Sequence, residues 1–285
     1  MLNDLHIHTT YSDGAFTPDE IIAMARERKI RWISITDHDT LGAYGNFQDQ
    51  FEDIDIIPGI EVSTYYKGHE IHILSYFHAT DDPALLALLD RSKTDRVDRY
   101  HKILKNLSDL GILLPDTAQP KDSYGRAHIA KLLIAHGYVK NIREAFELYL
   151  DVDKVAYEKR YKIDTRLALK TLRAAGGIPI LAHPGEKLNN LHFERLVLEL
   201  KAYGLLGIEV YHPSHTKEMT NRFYALARKN HLLITGGSDF HGQLDRTISG
   251  ANDKLGRYGL NDHLMAQLQK AHLNLTKQAQ RRSER

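Results

Sequence analysis

Apolar and polar positions alternate with period two over Leu5-His6-Ile7-His8, which predicts a strand with aliphatics on one face and histidines on the other. Thr17-Pro18-Asp19-Glu20 then has the form of a capping box with proline at the first helical position, opening a helix through Ile21-Ile22-Ala23-Met24-Ala25. Three short apolar runs follow as strands: Trp32–Ile35, Ile54–Ile57 and Ile71–Leu74. The alternation resumes with a helix near Thr165–Ala175, stopped by Gly176-Gly177, and a strand over Ile178–Ala182. Helices over Phe193–Tyr203 and Glu218–Lys229 precede the strands Gly207–Tyr211 and Leu232–Thr235. Strands alternating with helices predict an α/β fold with a parallel sheet or barrel.

From Asp81 to Lys162 the period changes to that of helices alone. Pro83 begins a long one that runs to Gly111, followed by Arg126–His136 and Ile142–Leu150. The expected organisation is therefore a barrel-like host of residues 1–80 and 163–276, interrupted by a helical insertion over 81–162. Residues 277–285, whose one apolar residue is Ala279, are expected to fray.

Composition narrows the chemistry. With 38 basic and 37 acidic residues the chain carries a net charge of +1, which removes the argument for a general nucleic-acid or membrane-surface binder. The absence of cysteine excludes disulfides, thiolate metal sites and thiol catalysis. No secretory leader and no apolar run of about 18 residues is evident, so a cytoplasmic location is expected. Histidine is the exception to an ordinary composition: there are 17 in 285 residues.

Those histidines gather with carboxylates at the ends of predicted strands. His6-Ile7-His8 ends the first, Thr36-Asp37-His38-Asp39 follows the second, and Glu61 comes after the third. His72 lies in the fourth, while His183, His212 and Ser238-Asp239-Phe240-His241 end the fifth, sixth and seventh. A single histidine at a strand end is most often a hydrogen-bonding residue. Seven such ends together would bury many titratable groups at a cost of several kcal/mol each unless cations compensate them. A multinuclear metal cluster at the mouth of a barrel meets that requirement.

In this order, His6-Ile7-His8, Asp13, Thr36–Asp39, Glu61, His72, His183 and Ser238–His241 resemble the PHP (polymerase and histidinol phosphatase) superfamily. Tyr124-Gly125-Arg126-Ala127-His128-Ile129-Ala130 further resembles its bacterial nucleoside-3′,5′-bisphosphate phosphatases and 5′→3′ exoribonucleases, with Ala127 where those usually have proline. The resemblance implies a distorted (β/α)7 barrel and two or three divalent ions, Mn²⁺ first, with Fe²⁺, Zn²⁺ or Mg²⁺ as alternatives. It implies that His6, His8, Glu61 and Asp239 hold one ion, and that Glu61 bridges to a second held by His72 and His183. Asp13, His38 and His241 would form a third position. Many relatives have histidine at position 13, and the carboxylate makes this position harder.

The expected activity is hydrolysis of nucleotide phosphate esters, with a metal-activated hydroxide as nucleophile and His212 or Asp13 as proton donor. Substrate contacts are expected from Arg126, His128, Arg160 and His212, Arg126 because it opens a helix whose free N–H groups favour an anion. The partner is then a nucleotide or short oligoribonucleotide, with no stable nucleic-acid complex, membrane or obligate protein partner. Two other classes remain: a small-metabolite phosphatase of the histidinol-phosphate kind, and a non-catalytic metal-binding regulatory domain.

Overall fold

The computed structural model describes residues 3–46, 53–117, 124–159, 161–187, 193–242 and 255–283. The first sheet is parallel, with β1 (Asp4–Ile7), β2 (Trp32–Ile35) and β3 (Asp55–Ile56) in that order. Between β1 and β2 runs α1 (Pro18–Glu27), whose N-cap Thr17 and Glu20 make the reciprocal bonds that the capping box predicts. The second sheet contains β4 (Gly59–Tyr66), β5 (His69–Tyr76), β6 (Ile163–Asp164), β7 (Ile178–Leu181), β8 (Gly207–Tyr211) and β9 (Leu233–Gly236). Its spatial order is β6-β4-β5-β7-β8-β9.

This sheet is mixed. Lys67 and Gly68, both at positive φ, make a two-residue turn that leaves no length for a crossover, so β4 and β5 pair antiparallel. Glu61 follows β3, as the apolar pattern predicts, and lies within β4, a strand that the pattern does not predict. Among the described residues the strands form two sheets and not the closed seven-stranded barrel expected. Two isolated bridges join them, Ile7 to Phe240 and His38 to Glu61. Both junctions carry or adjoin the histidines and carboxylates singled out above.

Helices α5 (Thr165–Ala174), α7 (Phe193–Ala202) and α8 (Lys217–Lys229) pack on the second sheet around Ile180, Ile208 and Phe223, and the short α6 (Pro184–Lys187) follows β7. Between β5 and β6 the structure is helical: α2 (Pro83–Asp109), α3 (Arg126–Ala135), α4 (Ile142–Ala145) and a π-helical turn over Phe146–Leu150. Leu85, Leu88 and Leu89 at the start of α2 join the main core, whereas Tyr100, Ile103 and Leu107 join a separate cluster with Ile129, Leu133 and Leu150. The change of core thus occurs within α2. The last helix, α9 (Asp262–Ser283), continues past Lys277 instead of fraying there, since Lys, Gln, Ala and Arg are good helix formers. No helix among the described residues is long and apolar enough to cross a membrane.

Candidate metal centre

The site is assembled at the two junctions between sheets. His6 and His8 leave β1 on one face, as period two requires, and both are fully buried. Beyond His8 the chain turns through residues 9–14, with the N–H groups of Ser12 and Gly14 on the Thr9 carbonyl. A Cβ on Gly14 would lie 2.4 Å from the His8 carbonyl oxygen, so glycine is required there. Asp37 secures this turn, accepting from Thr9 N–H at 2.7 Å, the Thr9 hydroxyl at 2.6 Å and the Ser12 hydroxyl. Asp39 and Asp239 both sit at positive φ, at 54° and 50°, where an aspartate is tolerated better than most residues.

Glu61 is the hub. Its Oε2 lies 3.4, 3.3 and 3.0 Å from His6 Nε2, His8 Nε2 and His38 Nδ1. Its Oε1 lies 2.8 Å from both His72 Nδ1 and His183 Nε2. Asp239 Oδ1 is 3.3 Å from His6 Nε2 and 3.1 Å from His8 Nε2. Asp13 Oδ1 is 3.2 Å from His241 Nε2 and 3.7 Å from His8 Nδ1. All nine residues named from the sequence therefore meet in one place.

The donor set passes a further test of fit. His6 Nε2, His8 Nε2, Asp13 Oδ1, His38 Nδ1 and Glu61 Oε2 are buried without a hydrogen-bond partner, although each faces others of the group. Atoms about 2.0–2.2 Å from a shared ion stand roughly 3.0–3.6 Å from each other, and Glu61 Oε2 lies 3.0–3.4 Å from His6, His8 and His38. Groups that could hold an ion include His8-Asp13-His38-His241, His6-His8-Asp239, His6-Glu61-His183 and His38-Glu61-His72. His72 and His183 converge on Glu61 Oε1, while His72 also groups with His38 and His183 with His6.

Burial opposes charge in this cluster, yet at Glu61, Asp239 and His8 the neighbouring opposite charges outweigh it. The imidazoles of His38, His72 and His6 outweigh burial at Glu61 and keep its carboxyl well below the ordinary range. Burial is likewise outweighed at His8, where Asp239 and Glu61 raise the imidazole to about 10. His38 goes the other way, down to about 4, because burial there exceeds the pull of Glu61 and Asp13. Glu61, buried, and Asp13 and Asp239, half-buried, concentrate negative charge that favours cations.

Glu209 belongs to the site although the sequence reading passed over it. It stands on β8 between Ile208 and Val210, fully buried, and its Oε1 lies 2.9 Å from His6 Nδ1. A lone carboxylate in an aliphatic strand was the available signal. His212 also reaches the cluster, with Nε2 3.3 Å from Asp239 Oδ2 and Nδ1 2.7 Å from Ser214 Oγ.

Asp13, His38 and His72 open into a cleft of about 650 Å³ that is also lined by Arg126, Tyr157, Lys159 and Lys162. The Arg126 guanidinium does not stand unengaged at its helix terminus: Nη1 donates to the Leu150 carbonyl at 2.9 Å and the group lies over the Phe146 ring. His128 Nδ1 accepts the Gly125 N–H at 3.2 Å, capping α3, and burial lowers its imidazole to about 4. Arg160 lies outside the described residues. Lys131 of α3 donates to the Asp13 carbonyl at 2.7 Å, tying this helix to the turn.

Comparison with known proteins agrees with this geometry. The chain is 32% identical over 246 residues to a 5′-3′ exoribonuclease of Haemophilus influenzae, covering 84% of this chain and 89% of that one. It is 31% identical over 260 residues to a 3′,5′-nucleoside bisphosphate phosphatase of Chromobacterium violaceum, covering 88% and 91%. In fold it matches a solved structure from Bifidobacterium adolescentis with a TM-score of 0.81 at 24% identity, over 93% of this chain and 94% of that one. The PHP domain model matches residues 4–177, which take in β1 through α5 and six of the nine clustered side chains, and the chain accordingly belongs to the PHP family.

Proposed function

We propose that this chain is a metal-dependent phosphoesterase acting on nucleotides, with nucleoside 3′,5′-bisphosphates and short 5′-phosphorylated RNA as its substrate class. The observation that carries the reading is the convergence of five buried, unpartnered nitrogen and oxygen atoms on shared points between Glu61, Asp13 and the histidines. The names of the two relatives supply the substrate class.

His6, His8, Glu61 and Asp239 would hold one ion; Glu61, His72 and His183 a second; Asp13, His38 and His241 a third. Two or three ions of the Mn²⁺ kind, when bound there, lower the pKa of a water ligand and neutralise charge on the phosphoryl group. Glu209 keeps His6 in one orientation, as carboxylates behind metal-binding histidines do. His212, held by Ser214 and Asp239, and Asp13, which lines the cleft, are the two candidates to deliver a proton to the leaving oxygen. The helices α2, α3 and α4 of the insertion over 81–162 would serve as a cap over the mouth. Arg126 and the aromatic rings beside it then receive the second phosphate and the base.

A hydrolysis panel with Mn²⁺ tests this, reading phosphate released from adenosine 3′,5′-bisphosphate and histidinol phosphate and mononucleotide released from a 5′-phosphorylated oligoribonucleotide. The bisphosphate and the oligoribonucleotide should be hydrolysed and histidinol phosphate should not. Preference for histidinol phosphate would favour the small-metabolite reading. Full activity after exhaustive chelation, with metal absence verified by elemental analysis, would refute a metal-dependent mechanism.

A further inference from the structure

The helical segment returns to the sheet through a basic run that the proposed chemistry leaves unused. Lys159 and Lys162 of that run line the same cleft as Asp13, His38 and His72. Lys162 Nζ lies 3.6 Å over the ring of Tyr65. On β4, Glu61, Ser63 and Tyr65 share a face, because alternate residues of a strand do. That face runs from the ligand cluster outward along the cleft, and four residues of strand carry Tyr65 roughly 13 Å beyond Glu61. Glu70, opposite Tyr65 across the hairpin, lies 3.1 Å from His72 Nε2 and so ties the outer hairpin to the cluster.

Resting on the phosphoesterase reading, we infer that Tyr65 and Lys162 form a platform for a second nucleotide, so that the site takes a 5′-phosphorylated single-stranded oligoribonucleotide as well as a mononucleotide. Arg126, with the rings of Phe146 and Tyr157, is a separate cation–aromatic grouping in the same cleft and serves the terminal nucleotide. An aromatic face stacks on any base, and a neighbouring ammonium pairs with the phosphate that joins two nucleotides. Lys162 is exposed and Tyr65 half-buried, and a cation–ring contact of that kind is weak. An arriving base therefore takes the ring while the ammonium moves to the backbone. Tyr65 stands too far out to touch the reacting phosphate, and its distance suits the next unit of a bound chain.

The test is steady-state hydrolysis by the Mn²⁺-loaded protein of a 5′-phosphorylated pentaribonucleotide and of adenosine 3′,5′-bisphosphate. Tyr65→Ala and Lys162→Ala should each lower the ratio of kcat/KM for the pentamer to that for the bisphosphate about tenfold, chiefly through KM. Tyr65→Phe should restore the ratio, since stacking needs the ring and not the hydroxyl. For the pentamer, Lys162→Ala should also reduce the slope of log kcat/KM against log salt by about 0.7, the value of one phosphate contact on a single strand. Equal losses on both substrates, or no change in ratio, would overturn the platform while leaving the phosphoesterase intact. A wild-type protein that cleaves the bisphosphate but not the pentamer would do the same. Failure on both substrates would remove the phosphoesterase reading itself.

Discussion

Glu209 grips His6 by the nitrogen that faces away from the cluster: Oε1 is 2.9 Å from Nδ1, while Oε2 accepts the backbone N–H of His183 at 2.7 Å. One carboxylate thereby sets the ring of His6 and the backbone of a second clustered residue. Glu209→Gln should lower Mn²⁺ affinity about ten- to a hundredfold, measured by equilibrium dialysis, with the circular dichroism spectrum unchanged. Unaltered affinity would show that packing alone orients His6.

The metal should stabilise the fold as well as supply the chemistry. An ion that binds the native state alone adds about 2.7 kcal/mol at a hundredfold excess over Kd. The melting temperature should therefore rise on adding Mn²⁺ to the chelated protein. Asp239, which touches His6, His8 and His212, should be needed for this, so Asp239→Ala should remove most of the rise and lower kcat by orders of magnitude. Coincident melting curves for the wild-type protein with and without Mn²⁺ would count against the cluster.

Arg126→Ala should cost about ten- to a hundredfold in kcat/KM for a 3′,5′-bisphosphate beyond any loss on p-nitrophenyl phosphate, which has one phosphate. The guanidinium is held by the Leu150 carbonyl and the Phe146 ring, so it is oriented before substrate arrives. Matching losses on the two substrates would assign Arg126 to the chemistry or the fold.

Arg96 of α2 neutralises Asp39 in a buried pair, Nε at 2.8 Å and Nη2 at 2.6 Å from Oδ2, and also reaches Ser63 and the Tyr124 carbonyl. Arg96→Met should destabilise the protein by about 3–5 kcal/mol in urea denaturation, because it leaves the Asp39 charge buried. Arg96→Met combined with Asp39→Asn should recover part of that loss. If the double variant is no better than the single, the pair does not owe its role to charge.

His78 predicts an acid sensitivity. It is 2% exposed, neither ring nitrogen has a hydrogen-bond partner, and burial lowers its imidazole to about 4. In the unfolded chain the group titrates near 6.5. Between these values the unfolded state binds a proton that the folded state refuses, so stability is intact above pH 6.5 and falls as pH drops towards 4. At pH 5 the loss from this residue alone is about 2 kcal/mol. His78→Leu should flatten the difference in urea stability between pH 7 and pH 5 by about that amount; an unchanged difference would place a partner beside His78.

Eight of the nine clustered residues were legible because the information is local, and Asp13 through the motif order that resembles the PHP superfamily. Period-two alternation sets which face of a strand a side chain leaves by, and the strand ends are where the chain turns towards a common mouth. The capping box of α1 and the helical run between β5 and β6 were legible for the same reason: each depends on neighbours a few positions away. Partner choice was not. Glu209 and His6 are 203 residues apart, and nothing on either strand states which carboxylate will stand behind which imidazole. The capture of Arg126 by Leu150 likewise follows from packing between separate segments, whereas the β4–β5 hairpin is local to the Lys67-Gly68 turn. The sequence by itself determined which histidines and carboxylates are candidates, since composition, local period and the order of motifs resembling the PHP superfamily suffice for that. The tertiary structure alone decided what each of them faces, because burial and hydrogen bonding are settled between segments that meet only when the chain has folded.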